Sequence, residues 1–146
     1  MTTPASFMVL ECRVGLGRLS IATDAIEVLG EYSVGNRLPL TERIGYSLGV
    51  WDNEVVMSLS MSRSDPAPSR TTAGLLLVTP GTSIRWAFEI GAPLGLAEVT
   101  GLESPQSEAT RWLRTATLSR GGVVQFVDVH MLVAKLGDLE GVRASL

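Results

Sequence analysis

The sequence predicts an all-β protein with one or two short helices, arranged as two small barrel-like lobes. Three observations carry that prediction. Short apolar or alternating runs, about nine to ten of them, recur at roughly 8–12-residue spacing, the signature of a barrel or sandwich. Glycine-containing turns separate them. One polar stretch, 62–72 (SRSDPAPSRTT), divides the chain, and the order strand, Gly turn, strand, linker, hairpin occurs on both sides of it.

Phe7–Val14 is apolar and then alternates from Leu10. Gly15-Leu16-Gly17 follows, and Arg18–Ile21 alternates again, which reads as a hairpin. In Thr23–Leu29, Thr23 or Asp24 can cap a short turn of helix that Gly30 ends. Residues 30–45, with Gly30, Gly35, Asn36, Pro39 and Gly45, read as a loop with a short strand near Tyr32–Val34. Tyr46–Trp51 and Glu54–Met61 are β-rich runs around a tight turn at Asp52-Asn53. Ser58, Ser60 and Ser62 alternate with Leu59 and Met61, so one face of that strand is polar.

Beyond the breakpoint, Gly74–Val78 is a continuous apolar run, as expected of a buried strand. Thr79–Thr82 is a turn, Ile84–Ile90 alternates up to Ala87, Gly91–Gly95 interrupts, and Leu96–Val99 resumes. Ser104–Glu108 is a polar turn. Trp112–Leu118 and Val123–Val127 form a hairpin around Ser119-Arg120-Gly121-Gly122. Asp128 can cap a closing helix, His130–Leu136, that stops at Gly137. The lobes expected are about 1–65 and about 70–146, an exchange of terminal segments between them being left open.

The chain has 146 residues and a formal net charge of −3, from 12 Lys+Arg against 15 Asp+Glu. That balance gives no general electrostatic drive toward nucleic acid or an anionic membrane. Charged residues are 18%, below the usual ~25%, and mean hydropathy is +0.26. This suits a protein that leaves apolar surface for a partner, and equally a well-buried small one. Met1–Ser6 lacks a basic start, and no run approaches the ~18 apolar residues of a membrane span. A soluble, cytoplasmic protein without membrane insertion is expected.

One cysteine, Cys12, and one histidine, His130, exclude an internal disulfide, a cysteine zinc site and a two-imidazole site. Cys12 shares a strand face with Leu10 and Val14, which makes it an inert core thiol rather than a nucleophile. His130, at a helix start, reads as a surface residue. Gly15-Leu16-Gly17 lacks the third glycine of a dinucleotide loop, because Ser20 stands there, so the hairpin turn is preferred. Asp52 and Glu54, two apart at a turn, could share a metal or do acid–base work, against the simpler reading of a solvated hairpin tip. Trp86 and Trp112 read as core. Trp51, at a strand end beside that turn, is either core or a binding anchor. The loops carry Gly, Ser, Pro and Asn in place of clustered reactive groups, and Lys135 is the single lysine.

In order and spacing these segments resemble a CheW-like domain over about residues 7–136. Phe7–Cys12 through Arg18–Ile21, then Ala25-Ile26-Glu27-Val28-Leu29, resembles that domain's first hairpin and the short turn after it. Leu75–Val78 to Trp86–Ile90 and Leu96–Val99 resembles its middle hairpin and following strand. Gly121–Leu132, preceded by Trp112-Leu113-Arg114, resembles its closing signature. The resemblance implies two SH3-like five-stranded barrel lobes around a shared hydrophobic core. It also implies a non-catalytic adaptor that couples chemoreceptor (methyl-accepting chemotaxis protein) signalling tips to a CheA-type histidine kinase, with no cofactor and no metal. One departure stands out. Where the family carries an Arg-Gly turn followed by Pro and Asp, this chain has Asp52-Asn53 within Gly45–Leu59, so the charge there is reversed. Usual kinase coupling is therefore left open, and an accessory (Frz-type) member that binds receptors or another CheW-like protein fits as well.

The expected contacts, by resemblance, are a receptor groove at Ile26 and Leu29 and a second contact at Trp51, Asp52, Asn53 and Glu54. The alternatives are a small β-barrel that binds a ligand or works as a weak carboxylate-dependent enzyme through Asp52 and Glu54, and a purely structural subunit.

Overall fold

The computed structural model describes residues 2–36, 38–39, 44–61, 70–78 and 84–135. Residues 62–69 of the polar stretch 62–72, the turn Thr79–Thr82 and the helix stop at Gly137 lie outside the described residues, and the last three residues of that stretch, 70–72, open a strand. Eleven strands run through the described residues: β1 (Thr2–Val14), β2 (Gly17–Ala22), β3 (Ile26–Val34), β4 (Leu38–Pro39), β5 (Gly45–Trp51), β6 (Glu54–Ser60), β7 (Arg70–Leu77), β8 (Trp86–Ile90), β9 (Ala92–Glu103), β10 (Leu113–Leu118) and β11 (Val123–Val127). One helix, α1, covers 129–135.

The chain is mostly β, as its alternation predicts, and it forms two sheets. One is a closed five-stranded barrel in the order β1-β2-β11-β10-β9. The other runs β3-β7-β8-β6-β5-β4. In the second sheet β3 also pairs with β5, Ser33 opposite Val50 and Val34 opposite Gly49, which joins the two ends of the run β3-β7-β8-β6-β5. The sheets do not follow the sequential halves 1–65 and 70–146. Residues 2–22 and 92–127 build the barrel, 26–90 hold the second sheet, and the polar breakpoint falls between two strands of one sheet. Long-range pairing between β1 and β9, from Thr2–Glu103 to Arg13–Ala92, overrides sequence proximity.

Three apolar clusters fill this arrangement. Val9, Val99, Leu118, Val124 and Phe126 lie in one, supplied by the barrel strands. Tyr32, Val34, Trp51, Val56, Leu76 and Ala87 lie in another, supplied by the second sheet. The largest is shared: Cys12, Leu19 and Ile21 from the barrel meet Leu59, Leu75, Leu77, Trp86 and Phe88 from the second sheet, with Val129 and Leu132 of α1. β8 is buried along its whole length because alternate residues serve two clusters, Trp86, Phe88 and Ile90 the shared one and Ala87 the second-sheet one.

Several local expectations change. Residues 23–25 make one turn of 3-10 helix without a side-chain cap, and Thr23 Oγ1 donates instead to the Met8 carbonyl at 3.4 Å. β3 then runs straight through Gly30, because its residues ladder with β7 from Ile26–Leu77 to Val34–Arg70. The 3-10 turn ends at Ala25, well short of Gly30. The break at Gly91–Gly95 shrinks to a bulge. Glu11 and Cys12 face Gly95 and Pro93, so Leu94 is the extra residue, and Gly95 takes φ +142°. The serine face of β6 is not wet. Ser58 and Ser60 are buried, and the Ser58 and Tyr32 hydroxyls hydrogen-bond at 2.5 Å inside the second sheet. Asp128 caps α1, its Oδ1 accepting from the Met131 N–H at 3.1 Å.

Candidate functional site

The β5–β6 hairpin turns at Asp52-Asn53, with φ of +52° and +68°. These left-handed values suit a two-residue turn, and Asp and Asn tolerate them better than most side chains. Trp51 and Glu54 face each other across the turn. Of the two readings the sequence leaves open for Trp51, core and binding anchor, the structure shows the core one. Trp51 is 9% exposed and packs within the second sheet, its ring 4.9 Å from that of Tyr32 with a 32° tilt. Gly30 makes room for it, since a Cβ there would lie 3.2 Å from Trp51 Cζ2. The remaining three residues of the predicted contact, Asp52, Asn53 and Glu54, are exposed.

Glu54 does not stand alone. Arg85, just before β8, reaches Glu27 Oε2 at 2.8 Å and Glu54 Oε2 at 3.9 Å. Its guanidinium links the start of β3 to the β5–β6 hairpin. The sequence gives no hint of this bridge, which joins three positions far apart in the chain. Two recesses, of about 280 and 240 Å³, open elsewhere. One lies beside the β1–β2 turn, lined by Val14, Arg18, Met61 and Gln125. The other is lined by Phe7, Phe126, Asp128 and His130. Among the described residues no group of three or more His, Cys, Asp or Glu could hold a metal ion.

Ile26 and Leu29, the predicted receptor contacts, sit on β3 at different depths. Ile26 is partly buried and packs against the shared core, opposite Leu77. Leu29 lies opposite the fully buried Leu75 yet stays 46% exposed, and Val28 beside it is 42% exposed. An apolar step thus leads from the shared core to the surface at this point. Sequence reasoning missed a second apolar strip on the β5–β6 hairpin, formed by Leu48, Val50 and Val55. Val50 and Val55 are direct cross-strand partners, and Leu48 faces Met57. The missed signal was alternation in which both faces are apolar, the inner one Trp51 and Val56 and the outer one Val50 and Val55.

The barrel holds a buried ionic feature of its own. Glu11 is buried, and both its oxygens accept from Arg120, at 2.6 and 2.7 Å, with Arg18 3.8 Å away. The Arg120 hydrogen bonds hold the Glu11 carboxyl below the usual carboxylate range, against the opposing effect of burial. Cys12 next to it is fully buried, and desolvation, with the Glu11 charge adding, pushes its thiol up to about 12. Such a thiol is protonated and unreactive at neutral pH. His130 is exposed at the start of α1.

No helix among the described residues is long and apolar enough to cross a membrane. Compared with known proteins, the chain matches no family model and no curated sequence.

Proposed function

We propose that the protein is a non-catalytic adaptor of a bacterial chemosensory array, with the two-lobed CheW-like fold, acting in the cytoplasm through contacts with receptor signalling tips. The observation that carries this reading is Leu29, 46% exposed opposite Leu75 of the shared core, with the exposed Val28 next to it in the chain. A receptor tip is helical, and a helix presents an apolar stripe that such a step accepts. A closed five-stranded barrel beside a second sheet, with one core common to both, supports the architectural half of the proposal.

The hairpin tip is the second contact, and its chemistry differs from an Arg-Gly turn. Asp52 and Glu54 present carboxylates, so a partner there offers basic groups. That makes another CheW-like protein or an accessory partner a better fit than the usual kinase surface.

Calorimetric titration against a receptor signalling-tip fragment tests the proposal. Leu29→Glu places a charge in the apolar contact and weakens binding at least tenfold, about 1.4 kcal/mol. Val123→Glu, on an exposed barrel position, leaves it unchanged. Absence of heat with the wild-type chain, or equal affinity in the Leu29→Glu variant, rejects the receptor role.

A further inference from the structure

The closed barrel has two ends, and its sequence finishes them differently. At one end β1 and β10 stop and β2, β9 and β11 begin. Glu11, two residues after Val9 and therefore on the same face of β1, is buried there, and Arg120 from the β10–β11 turn clamps both its oxygens. At the other end β2, β9 and β11 stop and β1 and β10 begin. Here the interior opens into the recess of about 240 Å³. Its floor is the last layer of barrel side chains, Phe7, Leu102 and Phe126, and Ala22 at the end of β2 is too small to fill it. The Phe7 and Phe126 rings meet edge to face, 5.4 Å apart at 68°. Asp128 and His130 stand at the rim, where the chain leaves β11 and enters α1, and no lysine or arginine lines the recess. Asp128 Oδ1 caps α1, whereas its Oδ2 has no hydrogen-bond or ion-pair partner among the described residues.

We infer that this open barrel mouth is a binding site for a small primary amine carried on a single aromatic ring. Barrel mouths are recurrent small-ligand sites, apolar with a few polar groups that fix orientation. An apolar cavity of about 150 Å³ already accepts one benzene-sized ring, so 240 Å³ holds the ring and a short tail. Phe7 and Phe126 offer the ring the offset and edge-to-face contacts that aromatic groups prefer. The tail reaches the rim, where the free Asp128 oxygen accepts from an ammonium in a charge-assisted hydrogen bond. The same carboxylate repels an anionic ligand of equal shape, so charge sets the specificity and the aromatic floor supplies the contact. The charged clamp of Arg120 on Glu11 stands at the far end, which leaves the site one entrance. The inference rests on the shape and charge of the recess and does not depend on receptor binding at Leu29, which lies on the other sheet.

Backbone amide NMR of the full chain titrated with phenethylamine tests it. Phenylacetate, the same ring with the opposite charge, and butylamine, the same charge without a ring, are the comparison ligands. Phenethylamine moves the amides of Phe7, Ala22, Phe126 and Val129 and saturates with a Kd on the order of 1 mM or below, the range open to a ligand of this size. Phenylacetate and butylamine each bind about tenfold more weakly or worse. Asp128→Asn keeps a good cap on α1 and removes the charge, so the amine loses about tenfold in affinity and its margin over phenylacetate closes. Ala22→Leu fills the recess and abolishes binding, while its unchanged amide spectrum away from the recess shows that it folds. The inference is overturned if phenethylamine gives no saturable shift by about 20 mM, or if its shifts centre on another part of the chain. Phenylacetate binding as tightly as the amine overturns it too, as does an amine affinity that Asp128→Asn or Ala22→Leu leaves unchanged.

Discussion

Replacing Trp51 by alanine separates a core residue from a contact residue at the position where the sequence leaves both open. The indole is 9% exposed, stacks at 4.9 Å on Tyr32, and fills the space that Gly30 leaves beside it. Truncating a buried tryptophan costs about 3–5 kcal/mol, transfer and cavity terms together. For a chain of this length each kcal/mol moves the thermal midpoint by about 2–4 °C, so Trp51→Ala melts roughly 6–20 °C early. Thermal and urea unfolding, followed by circular dichroism, read this directly. Gly30→Ala is the companion variant: its methyl group meets Trp51 Cζ2 at 3.2 Å, so the ring must give by a few tenths of an ångström. It lowers the midpoint by less than Trp51→Ala. A Trp51→Ala protein that unfolds with the wild-type midpoint while losing partner affinity would refute the placement of the indole inside the second sheet.

Gly74→Ala drives a Cβ into the Tyr32 ring at Cε1 and to 3.0 Å from the Phe88 carbonyl, an overpacking that costs about 1–3 kcal/mol. In that background Tyr32→Leu destabilises less than it does in the wild type, and a double-mutant cycle by urea unfolding measures the coupling. Because the folded-state pKa of Glu11 lies below its unfolded value, the ion pair with Arg120 contributes stability above the ordinary carboxylate range. That contribution disappears as pH falls from about 5 downward. The wild-type urea midpoint therefore drops more steeply in acid than that of Glu11→Gln, and parallel curves would show that the pair contributes nothing to the acid limb. Cys12, with its thiol pushed up to about 12, resists a thiol reagent at pH 8 in the native state and reacts in denaturant. Rapid labelling of the folded chain would place the thiol at the surface.

What the sequence revealed followed from side-chain period. Alternation located the hairpin of β1 and β2, the tight turn at Asp52-Asn53 and the hairpin of β10 and β11, because each is set by contacts local in the chain. Sheet membership was not legible. β1 pairs with β9 some ninety residues away, and nothing in the composition of Phe7–Val14 names that partner. Gly30 misled for a related reason. Glycine punctuates local structure, yet here it serves a tertiary neighbour, the Trp51 ring. The serine alternation marked a polar face at Ser58 but not what satisfies it. Its partner Tyr32 lies on another strand, and the pair satisfies both groups in the interior. At the candidate site, Ile26 and Leu29 were reached only through the family resemblance. The Arg85 bridge and the outward Val50–Val55 pair emerge only when separate strands are brought side by side.

The adaptor account is tested most directly by backbone amide NMR of the labelled protein titrated with a receptor signalling-tip fragment. The account predicts shift changes centred on Val28 and Leu29, spreading to Ile26 and to neighbouring Leu75 on β7, with those on barrel strand β10 small. Changes confined to the recess that Phe7, Phe126 and His130 line, or none at saturating fragment, would contradict it.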